Sequence, residues 1–312
     1  MRNLFGVGSL GEIVRKIQST LTDAGFDTNK ADGIYGNDTV RAVSAFQSAN
    51  SLTETGTIDD GTWQILMKSP IPPAFDRCLE LTASFENHGF GLAIGNFDGA
   101  LLTWGIVGFT LASGEVQSIV LAVNESAPEC VQQAFGTNAP QLLALMQASS
   151  DEQETWADSV TLPNGSLAEP WRSMFQAFGS LPEVQQEQIR HVQSDYMSPA
   201  ATTAKNLGFT TELGLALCFD IHVQNGGIKP AAMNQIRAAQ TPGMSELELR
   251  VVAANAVADF ASPRWRDDVR KRKLTVATGQ GVVHGHNYVL PNWGLAGDCN
   301  VPELTSTAVA SP

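Results

Sequence analysis

Hydrophobic residues recur at helical spacing near the N-terminus. Isoleucine and leucine repeat every four residues over 13–21, which is typical of an amphipathic helix. Residues 39–47 have the same pattern, with Thr39 or Asp38 as the expected N-cap. A short third helix is expected from about 59–63. This part of the chain therefore predicts a compact three-helix bundle.

The rest of the chain is predicted to be mainly helical with a little β structure. A helix is expected to end near Glu86, and residues 101–110 have the composition of a strand. A long apolar helix follows over 213–225, and Ser245 has capping-box spacing before another helix. The predicted fold class is mainly α (α+β), with a small β-hairpin or sheet beside a cleft.

Three prolines within residues 70–73 break the pattern, because proline cannot continue a helix. We place the domain boundary there. The predicted organisation is an N-terminal module, a linker, a larger domain and a flexible tail: 1–68, 69–74, 75–302 and 303–312.

The composition restricts the partners. The net charge is −13, of which residues 69–312 contribute −11, so nucleic acid is excluded as a partner. No apolar run approaches the roughly 18 residues of a membrane span, and no signal peptide is expected. The four cysteines are scattered and are expected to be free, buried thiols.

Glu86 is the first candidate for chemistry. On an ideal helix it closes the apolar stripe of the segment that precedes it, whereas Glu80 lies on another side and is expected to be solvated. A carboxyl group on an apolar face is costly to ionise, so its pKa should rise. A raised pKa suits a general acid that protonates a glycosidic oxygen.

Asp98 is the second candidate, because it lies in a glycine-flanked turn where a carboxylate should stay ionised. Thr103 lies on the expected strand that follows, and its hydroxyl could hold a water molecule near Asp98. Two carboxyl groups in opposite environments form the pair used in glycoside hydrolysis.

Residues 10–66 look like the peptidoglycan-binding domain found in many wall hydrolases. The similarity is carried by VRKIQSTLTDAGF, DGIYGNDTVRAVSAFQSANSL and GTIDDGTWQIL. The resemblance implies binding to bacterial peptidoglycan. Asp32 and Tyr35 are the residues that we consider for ligand contact.

The segment from Ser84 to Thr110 resembles the family 46 chitosanases of the lysozyme superfamily. The matching residues are SFEN, Asp98-Gly99, Thr103 and GIVGFT. The resemblance implies that Glu86 is the general acid, that Asp98 is the base, that Thr103 helps to place the attacking water, and that the reaction inverts the anomeric centre. The short loop between Glu86 and Asp98 and the residues after Gly99 depart from the chitosanases.

Other polar residues are interpreted as structural. Asp220 lies on the buried face of an apolar helix and needs a basic partner, for which the arginines of 264–272 are candidates. His284 and His286 flank a glycine, but no HExxH motif or third ligand accompanies them. We therefore expect no metal site and no cofactor, and a β-hairpin or loop at these glycines.

The leading hypothesis is a peptidoglycan hydrolase of the endolysin or muramidase type that cuts the glycan strand and acts as a monomer. We expect synthesis in the cytoplasm and action on the wall, after release through a membrane lesion or injection. The alternatives are a chitosanase, favoured by the acidity of the larger domain, and a non-catalytic wall-binding protein.

Overall fold

The computed structural model describes residues 2–86, 89–96 and 99–305, without the side chains of residues 86, 303 and 305. Helices dominate, and the strands form small antiparallel sheets, which confirms the predicted fold class. Within these ranges, no helix combines the length and the apolar character needed to cross a membrane.

The chain forms two compact units. The first consists of Met1–Phe85 with Tyr196–Pro312, and the second of Glu86–Asp195. The N-terminal module thus shares a unit with the C-terminal part of the chain. The domain limits expected from sequence stay a prediction.

The N-terminal module contains three helices and a two-stranded sheet. Its elements are β1 (Asn3–Phe5), α1 (Glu12–Asp23), α2 (Asn37–Ala49), β2 (Ile58–Asp59) and α3 (Asp60–Met67). These helices confirm the predicted bundle. Their apolar faces form one core, which includes Phe5, Ile17, Leu21, Val43, Phe46 and Trp63.

The expected cap of α2 at Thr39 or Asp38 is wrong, because the helix already begins at Asn37. Thr39 is buried, and its hydroxyl oxygen accepts a hydrogen bond from Gln18 Nε2 at 3.1 Å. The hydroxyl therefore satisfies a polar group inside the module instead of the helix end.

A fourth helix, α4 (Ala74–Glu86), follows the module, and its residues up to Phe85 belong to the first unit. The second unit then contains three short strands and six α-helices within its described residues. They are β3 (Ala93–Ile94), β4 (Thr103–Trp104), β5 (Phe109–Thr110), α5 (Glu115–Ser126), α6 (Pro128–Phe135), α7 (Ala139–Met146), α8 (Ser150–Val160), α9 (Trp171–Gly179) and α10 (Pro182–Val192).

The expectation of one strand over 101–110 is wrong. The segment forms β4 and β5, which pair antiparallel around a tight turn. Gly105 and Gly108 have φ angles of +88° and +75°, which glycine adopts without the steric cost of a side chain. These two glycines divide the predicted strand into a hairpin.

The chain returns to the first unit after α10. The remaining elements are α11 (Ser198–Leu207), α12 (Glu212–Asn225), α13 (Pro230–Ala239), α14 (Glu246–Asp259), α15 (Arg266–Thr278), β6 (Gln280–Val283), β7 (His286–Val289) and α16 (Pro302–Thr305). The strands β6 and β7 form the hairpin expected around the glycines. Gly226 ends α12 in a left-handed conformation, and Ser245 and Glu248 form the predicted capping box of α14.

Candidate active site

The predicted catalytic residues fall at the edges of the described structure. Glu86 is the last residue of α4, but its side chain lies outside the described residues, as does the whole of Asp98. Thr103 is described and lies on β4. The site is therefore built from Thr103 and from the described residues that flank the two carboxyl groups in the chain.

Thr103 lies on the accessible face of the sheet β3–β4–β5. Its direct partners are Ile94 on β3 and Thr110 on β5, and all three residues are partly exposed. Directly paired residues of neighbouring strands point to the same side of a sheet. The opposite face is buried and carries Trp104, which is 0% exposed. The sheet thus presents the Thr103 hydroxyl from a rigid, packed support.

Trp104 anchors this sheet to helix α9. Its indole Nε1 donates a hydrogen bond to the Phe175 carbonyl oxygen at 3.1 Å. Its ring is stacked against Phe178 with centroids 5.5 Å apart. Burial of an aromatic ring together with a satisfied N–H group fixes the position of β4.

Asn96 connects described residues on the two sides of Asp98 in the chain. Its Oδ1 accepts hydrogen bonds from the N–H groups of Gly99 at 3.1 Å and Leu101 at 3.2 Å. Its Nδ2 donates to Asp158 Oδ1 on α8 at 2.8 Å. An Asn that bonds to later backbone amides is a turn device. Asn96 was not among the site residues predicted from the sequence, although its position before Asp-Gly carried this signal.

Gln188 connects two loops of the second unit. It is 0% exposed, its Oε1 accepts from Ile106 N–H at 3.0 Å, and its Nε2 donates to the Phe90 carbonyl at 3.0 Å. A buried amide with both ends bonded resists displacement. Its partners are 82 and 98 residues away in the chain, so no local signal could have identified it.

The last turns of α4 are fixed by the interior of the first unit. Thr82 donates a hydrogen bond to Asp220 Oδ1 at 3.2 Å. Phe85 packs against Tyr288 with centroids 4.6 Å apart, and the Arg272 guanidinium lies 4.8 Å from the Phe85 ring centre. These contacts hold the helix up to the residue before Glu86.

Asp220 lies in a fully buried ion pair. Its carboxylate contacts Arg272 Nη2 at 2.7 Å and Lys273 Nζ at 2.6 Å, and none of the three side chains is more than 1% exposed. Burial alone would raise the pKa of Asp220, but the two cations outweigh it and hold the pKa well below its usual range. Arg272 was among the partners considered from sequence, whereas Lys273 was not.

Glu80 differs from the sequence expectation of a solvated residue. Its Oε1 accepts a hydrogen bond from the Glu12 N–H group at the start of α1, at 3.0 Å. Burial raises the pKa of Glu80 to about 8, and hydrogen bonds from the backbone of Glu12 and Ile13 only partly oppose the rise. The expectation is wrong because the N-terminal module covers this side of α4.

The module has a small surface cavity of about 210 Å³, lined in part by Lys30, Asp32, Ile34 and Asp38. Asp32 is engaged by Lys30 at 3.0 Å and by the Ile34 N–H group at 2.9 Å. Tyr35 was also considered for ligand contact, but it is 1% exposed and its hydroxyl donates to the Gly56 carbonyl. The structure places Tyr35 in the core, so this suggestion is corrected.

His284 lies in the turn of the β6–β7 hairpin, and His286 is the first residue of β7. His284 Nε2 lies 2.8 Å from Asp268 Oδ1, and both side chains are partly exposed. In the part of the chain that the structure describes, no group of three histidine, cysteine or acidic side chains is arranged to hold a metal ion.

The second unit carries a groove of about 720 Å³ beside β3. It is lined by residues 92–94 and 163–166, together with Arg172 and Gln176. This volume falls in the usual range of ligand sites, roughly 300–1,000 Å³. Ile94 lines the groove and is the cross-strand partner of Thr103, so the groove and the sheet that carries Thr103 are continuous.

The second unit also concentrates the acidity of the chain. Residues 86–195 contain 13 Asp and Glu but only two basic residues, Arg172 and Arg190, giving a balance of −11 out of the total of −13. Such a field attracts cationic polymers and repels anionic ones.

Comparison with known proteins agrees with this architecture. The peptidoglycan binding domain matches residues 11–66, and glycosyl hydrolase family 46 matches residues 80–248. Among solved structures, a mutant chitosanase from Bacillus subtilis MY002 complexed with 6 GlcN is 19% identical, with a TM-score of 0.52, covering 71% of this chain and 100% of that one. A family 46 chitosanase from Gynuella sunshinyii in complex with chitotetraose is 18% identical, with a TM-score of 0.50 and coverages of 71% and 99%.

At this identity the two structures show a shared fold. The family match extends over more than half of the chain and includes the segment with Glu86, Asp98 and Thr103. The chain is therefore a glycoside hydrolase that belongs to glycosyl hydrolase family 46 and carries a peptidoglycan binding domain at its N-terminus.

Proposed function

We propose that the protein cleaves the glycan strand of bacterial peptidoglycan by acid/base catalysis with inversion. Glu86 donates a proton to the glycosidic oxygen, Asp98 activates a water molecule, and Thr103 orients that water. The accessible face of β4 and the adjoining groove beside Ile94 provide a support on which a sugar chain can lie.

The observation that carries the choice of substrate is the peptidoglycan binding domain within the first compact unit. A module that binds an insoluble polymer raises the effective concentration of cleavable bonds near the hydrolase. The proposed substrate is therefore the glycan strand of the wall to which the module binds.

Chitosan is the second candidate, and one observation favours it. The balance of −11 over residues 86–195 suits a polymer of protonated glucosamine better than a strand that carries peptide carboxylates. The solved chitosanases of similar fold agree with this candidate.

Product analysis on matched polymers tests the proposal. Purified peptidoglycan, the same peptidoglycan after N-acetylation of its free amines, and chitosan are each digested, and mass spectrometry identifies the sugar at each new reducing end. Cleavage of both peptidoglycans supports the proposal. Cleavage of chitosan alone overturns it, and loss of cleavage on N-acetylation shows that free amino groups are required.

Substitution of Glu86 tests the mechanism. Glu86→Gln keeps the size of the side chain but cannot act as a general acid, so kcat should fall by about 10³-fold or more while binding to peptidoglycan is retained. Glu154→Gln, an exposed change on α8, is the matched control and should be fully active. An active Glu86→Gln variant would show that another group is the acid.

A further inference from the structure

We infer that the N-terminal module contributes to catalysis in addition to binding the wall. It does so by positioning helix α4, which ends at Glu86. This inference rests on the proposed role of Glu86. Three groups of contacts within the first unit support it.

The first group is a shared ion cluster. Arg2, next to β1 of the module, and Arg77, on α4, both donate to the carboxylate of Glu212 and to the Gly294 carbonyl oxygen. The side chains of Arg77 and Glu212 are only 5% and 4% exposed. Breaking a buried charge cluster is costly, so the module and α4 are held against the same acceptors.

The second group joins α1 directly to α4. The first turn of α1 donates its Glu12 N–H group to Glu80, and helix N-termini favour such an oxygen acceptor. Gly11 is so close that a Cβ atom there would lie 1.6 Å from Glu80 Oε2. Glu80 precedes Glu86 by less than two helical turns. The module therefore contacts α4 near its functional end.

The third group of contacts leads from the module to Phe85, near the C-terminal end of α4. Asn3 Nδ2 on β1 donates to Asn292 Oδ1 at 2.7 Å. Asn292 lies in the short 3₁₀ turn with Trp293, which stacks on Tyr288, and Tyr288 packs on Phe85. A continuous series of contacts thus leads from the module to the residue before Glu86.

These contacts define a docked module, which differs physically from a module on a flexible tether. A tether changes only the local concentration of substrate. A docked module that supports α4 also affects the geometry of the general acid, to which proton transfer is sensitive. Loosening the module should therefore reduce turnover even on a soluble substrate that needs no anchoring.

Two substitutions in the full chain test this. Arg2→Ala removes the module's part of the ion cluster and leaves Glu212 paired with Arg77, so no buried carboxylate is stranded. Glu80→Ala removes the contact with α1. On a soluble amino-sugar oligomer, each variant should lose about tenfold or more in kcat with little change in KM, and the alkaline limb of its pH profile should shift. Pelleting with peptidoglycan should be unchanged.

Controls separate positioning from general destabilisation. Glu80→Gln keeps an oxygen acceptor and should restore most of the lost kcat, whereas Lys16→Ala, on the exposed side of α1, should behave as wild type. All assays are run below the melting transition of each variant. The inference is overturned if Arg2→Ala and Glu80→Ala have a normal kcat and a normal pH profile. It is also overturned if Glu80→Gln loses as much kcat as Glu80→Ala. Activity in Glu86→Gln instead overturns the proposed function.

Discussion

Replacement of Asn96 by alanine should weaken catalysis by releasing Gly99 and Leu101, which follow Asp98 in the chain. The side chain connects Gly99 and Leu101 to Asp158 on α8 through three hydrogen bonds. Leu101 has a φ angle of +65°, a conformation that residues with a side chain rarely adopt. Gly99 and Leu101 therefore depend on Asn96 to keep their described conformation.

The size of the effect follows from the two bonds that Oδ1 accepts. Each such bond contributes about 0.5–1.5 kcal/mol net, so their loss favours release of Gly99 and Leu101 by about 1–3 kcal/mol. A tenfold change corresponds to about 1.4 kcal/mol, so kcat should fall by about 5- to 140-fold. Asn96→Asp keeps the oxygen acceptor but places a second carboxylate beside Asp158. Its loss of kcat should be smaller than that of Asn96→Ala.

Steady-state kinetics on a soluble amino-sugar oligomer measures this, with thermal melting in parallel. Asn255→Ala is the matched control, because Asn255 also makes two amide hydrogen bonds, to Arg270 and to the Val251 carbonyl on α14. It should lower the melting temperature without changing kcat. The reasoning is refuted if Asn96→Ala has the kcat of wild type although amide exchange at Gly99 and Leu101 is faster than in wild type.

Three further predictions concern single side chains. Thr103→Val keeps the branched shape but removes the hydroxyl, so kcat should fall about 10- to 100-fold while the melting temperature is unchanged. Thr103→Ser keeps the hydroxyl and should retain activity. Steady-state assays of reducing-end formation measure both variants. Asp220→Ala removes the buried carboxylate that Arg272 and Lys273 share and should cost about 3–5 kcal/mol in the free energy of unfolding, measured by urea denaturation. Burial raises the pKa of Glu80 to about 8. This folded pKa exceeds the unfolded value of about 4.3, so the folded state binds the Glu80 proton more tightly than the unfolded state does. The contribution of this proton to the stability of the folded state is complete below about pH 4 and is lost as pH rises through about 8. The melting temperature should therefore fall more between about pH 6 and pH 9 in wild type than in Glu80→Gln, and equal slopes would contradict the assignment.

Local patterns predicted much of the fold. The repeat over 13–21 specified α1, and the Ser245–Glu248 spacing specified the start of α14, because both depend on residues within one or two turns of each other. The strand over 101–110 was misjudged because β propensity does not show where glycines reverse the chain.

The site was less accessible to sequence reasoning. A helical projection of α4 treats the helix as isolated, so it could not show that α1 covers Glu80. Likewise, Tyr35 has the composition of a ligand contact but fills the module core, and Gln188 acts through partners far away in the chain. Tertiary partners decide these roles, and one sequence does not reveal them.

The half-buried Cys299 offers a native reporter of module docking. Cys78, Cys130 and Cys218 are buried, so Cys299 is the accessible thiol among the four cysteines. Burial raises the pKa of the Cys299 thiol, while the nearby charge of Arg2 opposes that rise. If the module dissociates from the rest of the first unit, the Cys299 thiol becomes exposed to solvent and Arg2 moves away from it. The alkylation rate of unmodified enzyme, measured with and without wall fragments, thus reads out how often the two parts separate.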